Sequence, residues 1–139
     1  MKTPHRRAVE TRRLYRFESL SIAYSPYANK PRTLSFLRRL ARVVWARHGR
    51  RGLPCPVVEF GNGTPFGGGR AAYCEGYSYI NLCEGQRSVT VLLHELTHAR
   101  GHGTHGAGFV GKYFDLLADY GKCDQALLAI DAARFGIKA

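Results

Sequence analysis

Five consecutive residues, His94-Glu95-Leu96-Thr97-His98, carry the clearest capacity for chemistry in this 139-residue chain. On an α-helix, histidines at i and i+4 project from one face a single turn apart, so two imidazoles can grip one metal ion. The glutamate beside the first histidine then stands within reach of a metal-bound water. This is the HExxH pattern, and its chemistry is zinc-dependent hydrolysis with the glutamate as general base. The flanks suit a helix: Ser88 is a cap residue, Val89, Leu92, Leu93 and Leu96 form an apolar stripe, and Gly101 can end the helix.

A catalytic zinc site takes three protein ligands and leaves its fourth position to water. His94 and His98 are two, so the third must follow the helix. His102 and His105 are the nearest candidates, with Asp115 and Asp119 further on. His102 lies i+4 from His98 and would share its face only if the helix ran through Gly101. Gly101 and Gly103 argue against that. His105 sits past the turn at the mouth of the next helix and is the favoured third ligand, with His102 the alternative. Oxyanion support needs a further donor, for which Arg100, Tyr113 and Tyr120 all stand open.

The elements that must position these residues follow from periodicity. Thr33 to His48 reads as a basic helix capped by Thr33, with Leu37, Leu40, Ala41 and Val44 on its apolar face. Pro54 to Phe60 holds a short strand. Gly61 to Gly69 is too glycine-rich for regular structure and lacks the Lys-Ser/Thr of a phosphate loop. Arg70 to Cys83 reads as one broken strand or a hairpin, with Tyr77 to Leu82 its stronger half. Beyond the active helix, Ala107 to Tyr120 forms a second helix with Phe109, Val110, Tyr113, Phe114, Leu116 and Leu117 inward. Asp124 to Phe135 forms a last one with Ala126, Leu127, Ile130 and Ala133 inward. At the other end, residues 1–13 read as a flexible basic arm, Leu14 to Tyr24 as a short strand or docking segment, and Ser25 to Pro31 as a loop. The expectation is an α+β chain, one domain over 1–139, with a sheet of three to four strands and one or two helices after the active one.

Charge is unevenly placed. The chain carries a net charge of +11, yet Met1 to Arg51 holds 14 Lys and Arg against only Glu10 and Glu18. The rest is close to neutral, and no acidic residue lies between Glu18 and Glu59. Such asymmetry points to a polyanion partner, DNA or a nucleoprotein, with Arg38, Arg39, Arg42, Arg47, Arg50 and Arg51 as candidate phosphate contacts. Cys55, Cys74, Cys83 and Cys123 have no metal-ribbon spacing and read as thiols of a reducing compartment, although Cys74 and Cys83 could meet across a hairpin. With no apolar run of membrane-spanning length and no signal-like h-region, the expected location is the cytoplasm, without a membrane partner.

His94-Glu95-Leu96-Thr97-His98 followed by His105-Gly106-Ala107-Gly108-Phe109 and an apolar helix resembles the SprT-like metallopeptidases, which include small phage-encoded members. Those proteins carry HExxH and then an H-G-x-x-F element whose histidine is the third ligand. The likeness covers about Val57 to Tyr120, with Tyr79 to Leu82 as the strand before the active helix. The metzincin pattern fits less well, because its third ligand would fall on Thr104. The resemblance implies a minimal zincin-like fold, one Zn2+ on His94, His98 and His105, and Glu95 as the catalytic residue. It further implies a protein or peptide substrate associated with DNA, and virion association if the protein is phage-encoded. In zincins a strand next to the active helix holds the substrate backbone, a role that would fall to Tyr77 to Leu82 here. The rival reading is a non-enzymatic, DNA-associated or virion-type structural protein that keeps the fold and uses the metal for stability.

Overall fold

A computed structural model describes residues 4–20, 25–61, 72–75, 78–101 and 105–138. Among the described residues six helices and a three-stranded sheet make it an α+β chain, and its residues group into two compact units. Among the described residues, no helix is long and apolar enough to cross a membrane.

The unit Asn29–Gly101 contains the sheet. Helix α3 (Leu34–His48) starts where expected, because Thr33 accepts a hydrogen bond from the Phe36 amide at 3.1 Å. It buries Leu37, Ala41, Val44 and Trp45, and the Trp45 indole donates to Leu53 O at 2.9 Å. Strands β1 (Val57–Gly61), β2 (Ala72–Glu75) and β3 (Tyr79–Cys83) lie in the order β1-β3-β2. Of the two readings of Arg70 to Cys83, a broken strand or a hairpin, the second is found: β2 and β3 pair antiparallel, with Tyr73 opposite Asn81. β1 pairs parallel to β3, with Val58 opposite Ile80. Arg87 ties this sheet end together by donating to Leu82 O and Gly61 O, both at 3.2 Å, while its guanidinium lies over the Phe60 ring. The glycine-rich loop beyond Gly61 falls outside the described residues.

β3 is thus the central strand, with both backbone edges already paired. This corrects the expectation that Tyr77 to Leu82 offers an open edge. Ile80, Asn81, Leu82 and Cys83 are all buried, so the run is apolar because it is enclosed on both faces. Among the described strands, the open edge beside the active helix α4 (Val89–Ala99) belongs to β2, against which α4 packs.

The other unit joins Met1–Ala28 to His102–Ala139. Where a flexible arm followed by a short strand or docking segment was expected, one helix runs, α1 (Pro4–Leu20), while residues 1–3 and 21–24 of those readings lie outside the described residues. Proline suits a first helical position. Leu14 and Phe17, at i and i+3, are fully buried, while Arg12, Arg13 and Arg16 face solvent. The inward stripe also carries Thr11 and Glu18, so polar residues mask the helical period. Phe17 packs on Phe114 and Phe135 at ring-centroid distances of 5.3 and 6.0 Å. Ser25 to Pro31 is not all loop, since the Ser25 hydroxyl accepts from the Ala28 amide and starts a single turn, α2 (Pro26–Asn29).

Helix α5 (Ala107–Tyr120) buries every apolar residue expected of it, from Phe109 to Leu117. After it, Lys122 at φ 54° takes the left-handed conformation that turns the chain, and its ammonium lies over the Tyr27 ring. Helix α6 (Gln125–Arg134), capped by Asp124, lies where a last helix was expected but is turned the other way. It buries Leu128, Asp131 and Ala132, leaving Leu127 46% and Ile130 59% exposed, with Ala126 and Ala133 beside them. Small apolar residues lie all around this helix, so its pattern does not define a phase. Asp131 settles it by meeting Arg134 at 3.2 Å while buried.

Candidate metal centre

Helix α4 holds the chemistry in an unusually enclosed setting. The Ser88 hydroxyl accepts from the Val91 amide at 3.3 Å, and Gly101 at φ +110° ends the helix in a conformation that glycine adopts freely. Between these ends Val89, Leu92, Leu93, Leu96 and Ala99 are buried, and so are Thr90, Glu95, Thr97 and His94. Thr97 satisfies its hydroxyl by donating to Leu93 O at 2.7 Å. His94 and Glu95 are only 5% and 7% exposed. Burying an imidazole and a carboxylate side by side is costly unless both are satisfied by partners.

The His94 and His98 rings lie 5.0 Å apart, as their one-turn spacing requires. His105, seven positions after His98, brings a third nitrogen, and one ligand atom from each lies within 4.8 Å of the other two. These three histidines are close enough to hold a metal ion. Around a tetrahedral ion with metal–nitrogen bonds of about 2.0–2.1 Å, such nitrogens would stand about 3.3 Å apart. Among the described residues no fourth Cys, His, Asp or Glu joins the group. His102, the alternative third ligand, lies outside the described residues, and Asp115 and Asp119 are not in the group.

His105 is held firmly from its own unit. Its ring meets the Phe109 and Tyr15 rings edge-on at 5.0 and 5.7 Å, and its Nδ1 lies 3.0 Å from Thr11 Oγ1. Thr11 and Tyr15 have no signature in the sequence, standing about ninety positions away in a stretch that reads as an arm. The helical spacing of Thr11, Leu14 and Glu18 is their only trace.

The oxyanion candidates now separate. The Tyr113 hydroxyl donates to Glu18 Oε2 at 3.0 Å from a fully buried ring, so it is committed to packing. Arg100 follows α4 directly, and its buried Nε has no hydrogen-bond partner among the described residues. Burial also lowers its pKa. An arginine poorly satisfied in this way keeps a donor for an anion, so Arg100 is a better candidate than Tyr113.

Of the six arginines named for nucleic acid, Arg39, Arg42, Arg47, Arg50 and Arg51 are exposed. Arg38 is engaged in the fold, donating to Val58 O at 2.9 Å and pairing with Glu59 at 2.9 Å. Cys55, Cys83 and Cys123 are free thiols, and the Cys74 side chain lies outside the described residues. Burial pushes the Cys55 and Cys123 thiols up, Arg42 partly opposing it at Cys55, so neither is an activated nucleophile. Comparison with protein-family models, with curated proteins and with solved structures found no match to this chain.

Proposed function

We propose that the chain is a zinc metallopeptidase of the SprT-like type, with a minimal zincin-like fold, acting on DNA-associated proteins. The approach of His94, His98 and His105 to within 4.8 Å, beside the buried carboxylate of Glu95, carries this reading. Zinc held there would polarise the scissile carbonyl and acidify the attacking water. Glu95, one residue after His94 and a turn before His98, is the residue that would take up a proton from the attacking water and hand it to the leaving amine. An extended substrate segment hydrogen-bonds to the free edge of β2, the strand packed on α4, rather than to β3. Arg100 supplies the donor for the developing oxyanion.

Delivery to DNA is supported by the arginines on the outer side of α3. Arg39, Arg42 and Arg47 stand on exposed positions of α3, Arg51 follows, and no acidic residue from 19 to 58 offsets them. A cytoplasmic location, with virion association if the protein is phage-encoded, goes with such a substrate.

The purified protein should carry one zinc ion by elemental analysis and cleave a DNA-bound protein. DNA should raise that cleavage, and a chelator should abolish it. Zinc without cleavage, in the presence or absence of DNA, would favour the non-enzymatic structural reading instead. The intact Glu95 weighs against that reading, because a purely structural metal needs no general base. Replacing Arg39, Arg42, Arg47 and Arg51 together by Gln should flatten the dependence of DNA affinity on salt. Each arginine that no longer neutralises a phosphate lowers the slope of log K against log salt by about 0.9, so the four together should change it by about 3 to 4. An unchanged slope would put DNA on another surface.

A further inference from the structure

We infer that helix α1 is the positioning element of the metal centre, with Thr11 setting which nitrogen of His105 faces the ion. The inference rests on the metal-centre reading above and adds a residue that neither the HExxH nor the HGxxF element contains. Thr11 Oγ1 lies 3.0 Å from His105 Nδ1. A histidine with Nδ1 engaged in this way has only Nε2 left for a metal, and the metal-ready tautomer is the one in which Nδ1–H donates to the threonine oxygen. Thr11 therefore fixes the tautomer, and Tyr15, one turn along α1, fixes the ring plane by its edge-on contact at 5.7 Å.

The same face of α1 continues the task. Glu18 accepts the Tyr113 hydroxyl and Phe17 packs on Phe114, so α1 is fastened along α5, the helix that His105 immediately precedes. Thr11, Leu14 and Glu18 fall on one stripe, which gives this helix a reason to keep polar residues inward. His94 and His98 are held by the geometry of a single buried helix. His105 lies outside that helix, ahead of α5, and its ring is held by Thr11, Tyr15 and Phe109. Without Thr11 its ring could rotate or present the wrong nitrogen, at a cost in affinity rather than in fold. Partners that orient a metal-bound histidine in this way are worth about 10- to 100-fold in affinity.

The test measures zinc affinity by competition with a chromophoric chelator, on the full chain and without reference to proteolysis. Thr11→Val, which keeps the shape and removes the oxygen, should weaken zinc binding about 10-fold or more. Thr11→Ser should restore it to within about threefold of wild type, and His105→Ala should weaken it more than either. With Co2+ in place of zinc, Thr11→Val should change the visible absorption of the ion while Thr11→Ser does not. If His105→Ala lowers affinity but Thr11→Val binds like wild type, the positioning role falls and the metal centre stands. If His105→Ala also binds like wild type, the three-histidine centre falls with it. Should Thr11→Val fail to fold, the wild-type protein decides. Ring-nitrogen NMR of the zinc form should find His105 protonated at Nδ1 and metal-bound at Nε2, and a metal on Nδ1 would overturn the inference.

Discussion

Glu95→Gln is expected to keep the zinc ion and lose cleavage by about 10²- to 10⁴-fold, the usual contribution of a general base. The substitution is nearly isosteric, so the buried surroundings of the side chain have little reason to rearrange. His94→Ala should behave differently, losing zinc and cleavage together, because it removes a ligand that the other two histidines cannot replace. The contrast separates the roles: one variant is metal-loaded and inactive, the other metal-poor and inactive. Elemental analysis with a cleavage assay on a DNA-bound protein reads both. Cleavage by Glu95→Gln at the wild-type rate would remove the general base from the mechanism.

How well the sequence foretells these elements depends on whether local signals decide the structure. Thr33, Ser88 and Asp124 are side-chain caps whose hydrogen bonds are made within three residues, so the starts of α3, α4 and α6 are directly legible. Gly101 supports a conformation few other residues adopt, and that local fact also favours His105 over His102 as third ligand. Strand order is different in kind. Nothing within Tyr79 to Cys83 says that β1 will add to it in parallel, and so an enclosed central strand reads as an edge. Helix α6 has apolar residues on most sides, and its phase follows from a buried Asp131 that hydropathy alone would put in solvent. Charge counting misleads in a similar way at Arg38, which lies in the arginine run yet spends its guanidinium on β1. At the candidate site, the two histidines and the glutamate of α4 are visible from their spacing. Thr11 is not, because its partner stands in a distant part of the chain.

The largest effect on stability should come from the stretch whose sequence reads as least structured. Phe17→Ala is expected to destabilise the protein by about 3–5 kcal/mol, the range for deleting a buried phenylalanine. Phe17 is fully buried, with Phe114 and Phe135 against it, so a smaller side chain leaves a void bounded by two large rings of α5 and the end of α6. Rings that size cannot collapse inward without leaving their own packing, which puts the cost at the upper part of the range. For a domain whose whole stability is about 5–15 kcal/mol, the loss would be a large fraction. Arg16→Ala, one position earlier on the exposed side of α1, supplies the control and should change stability by less than about 0.5 kcal/mol. Urea unfolding of both variants makes the comparison. A helix fastened along its inward face predicts a wide gap between them, whereas a solvated basic arm predicts two values near zero. If Phe17→Ala unfolds at the wild-type urea concentration, α1 is not packed as described and Thr11 loses its hold on His105.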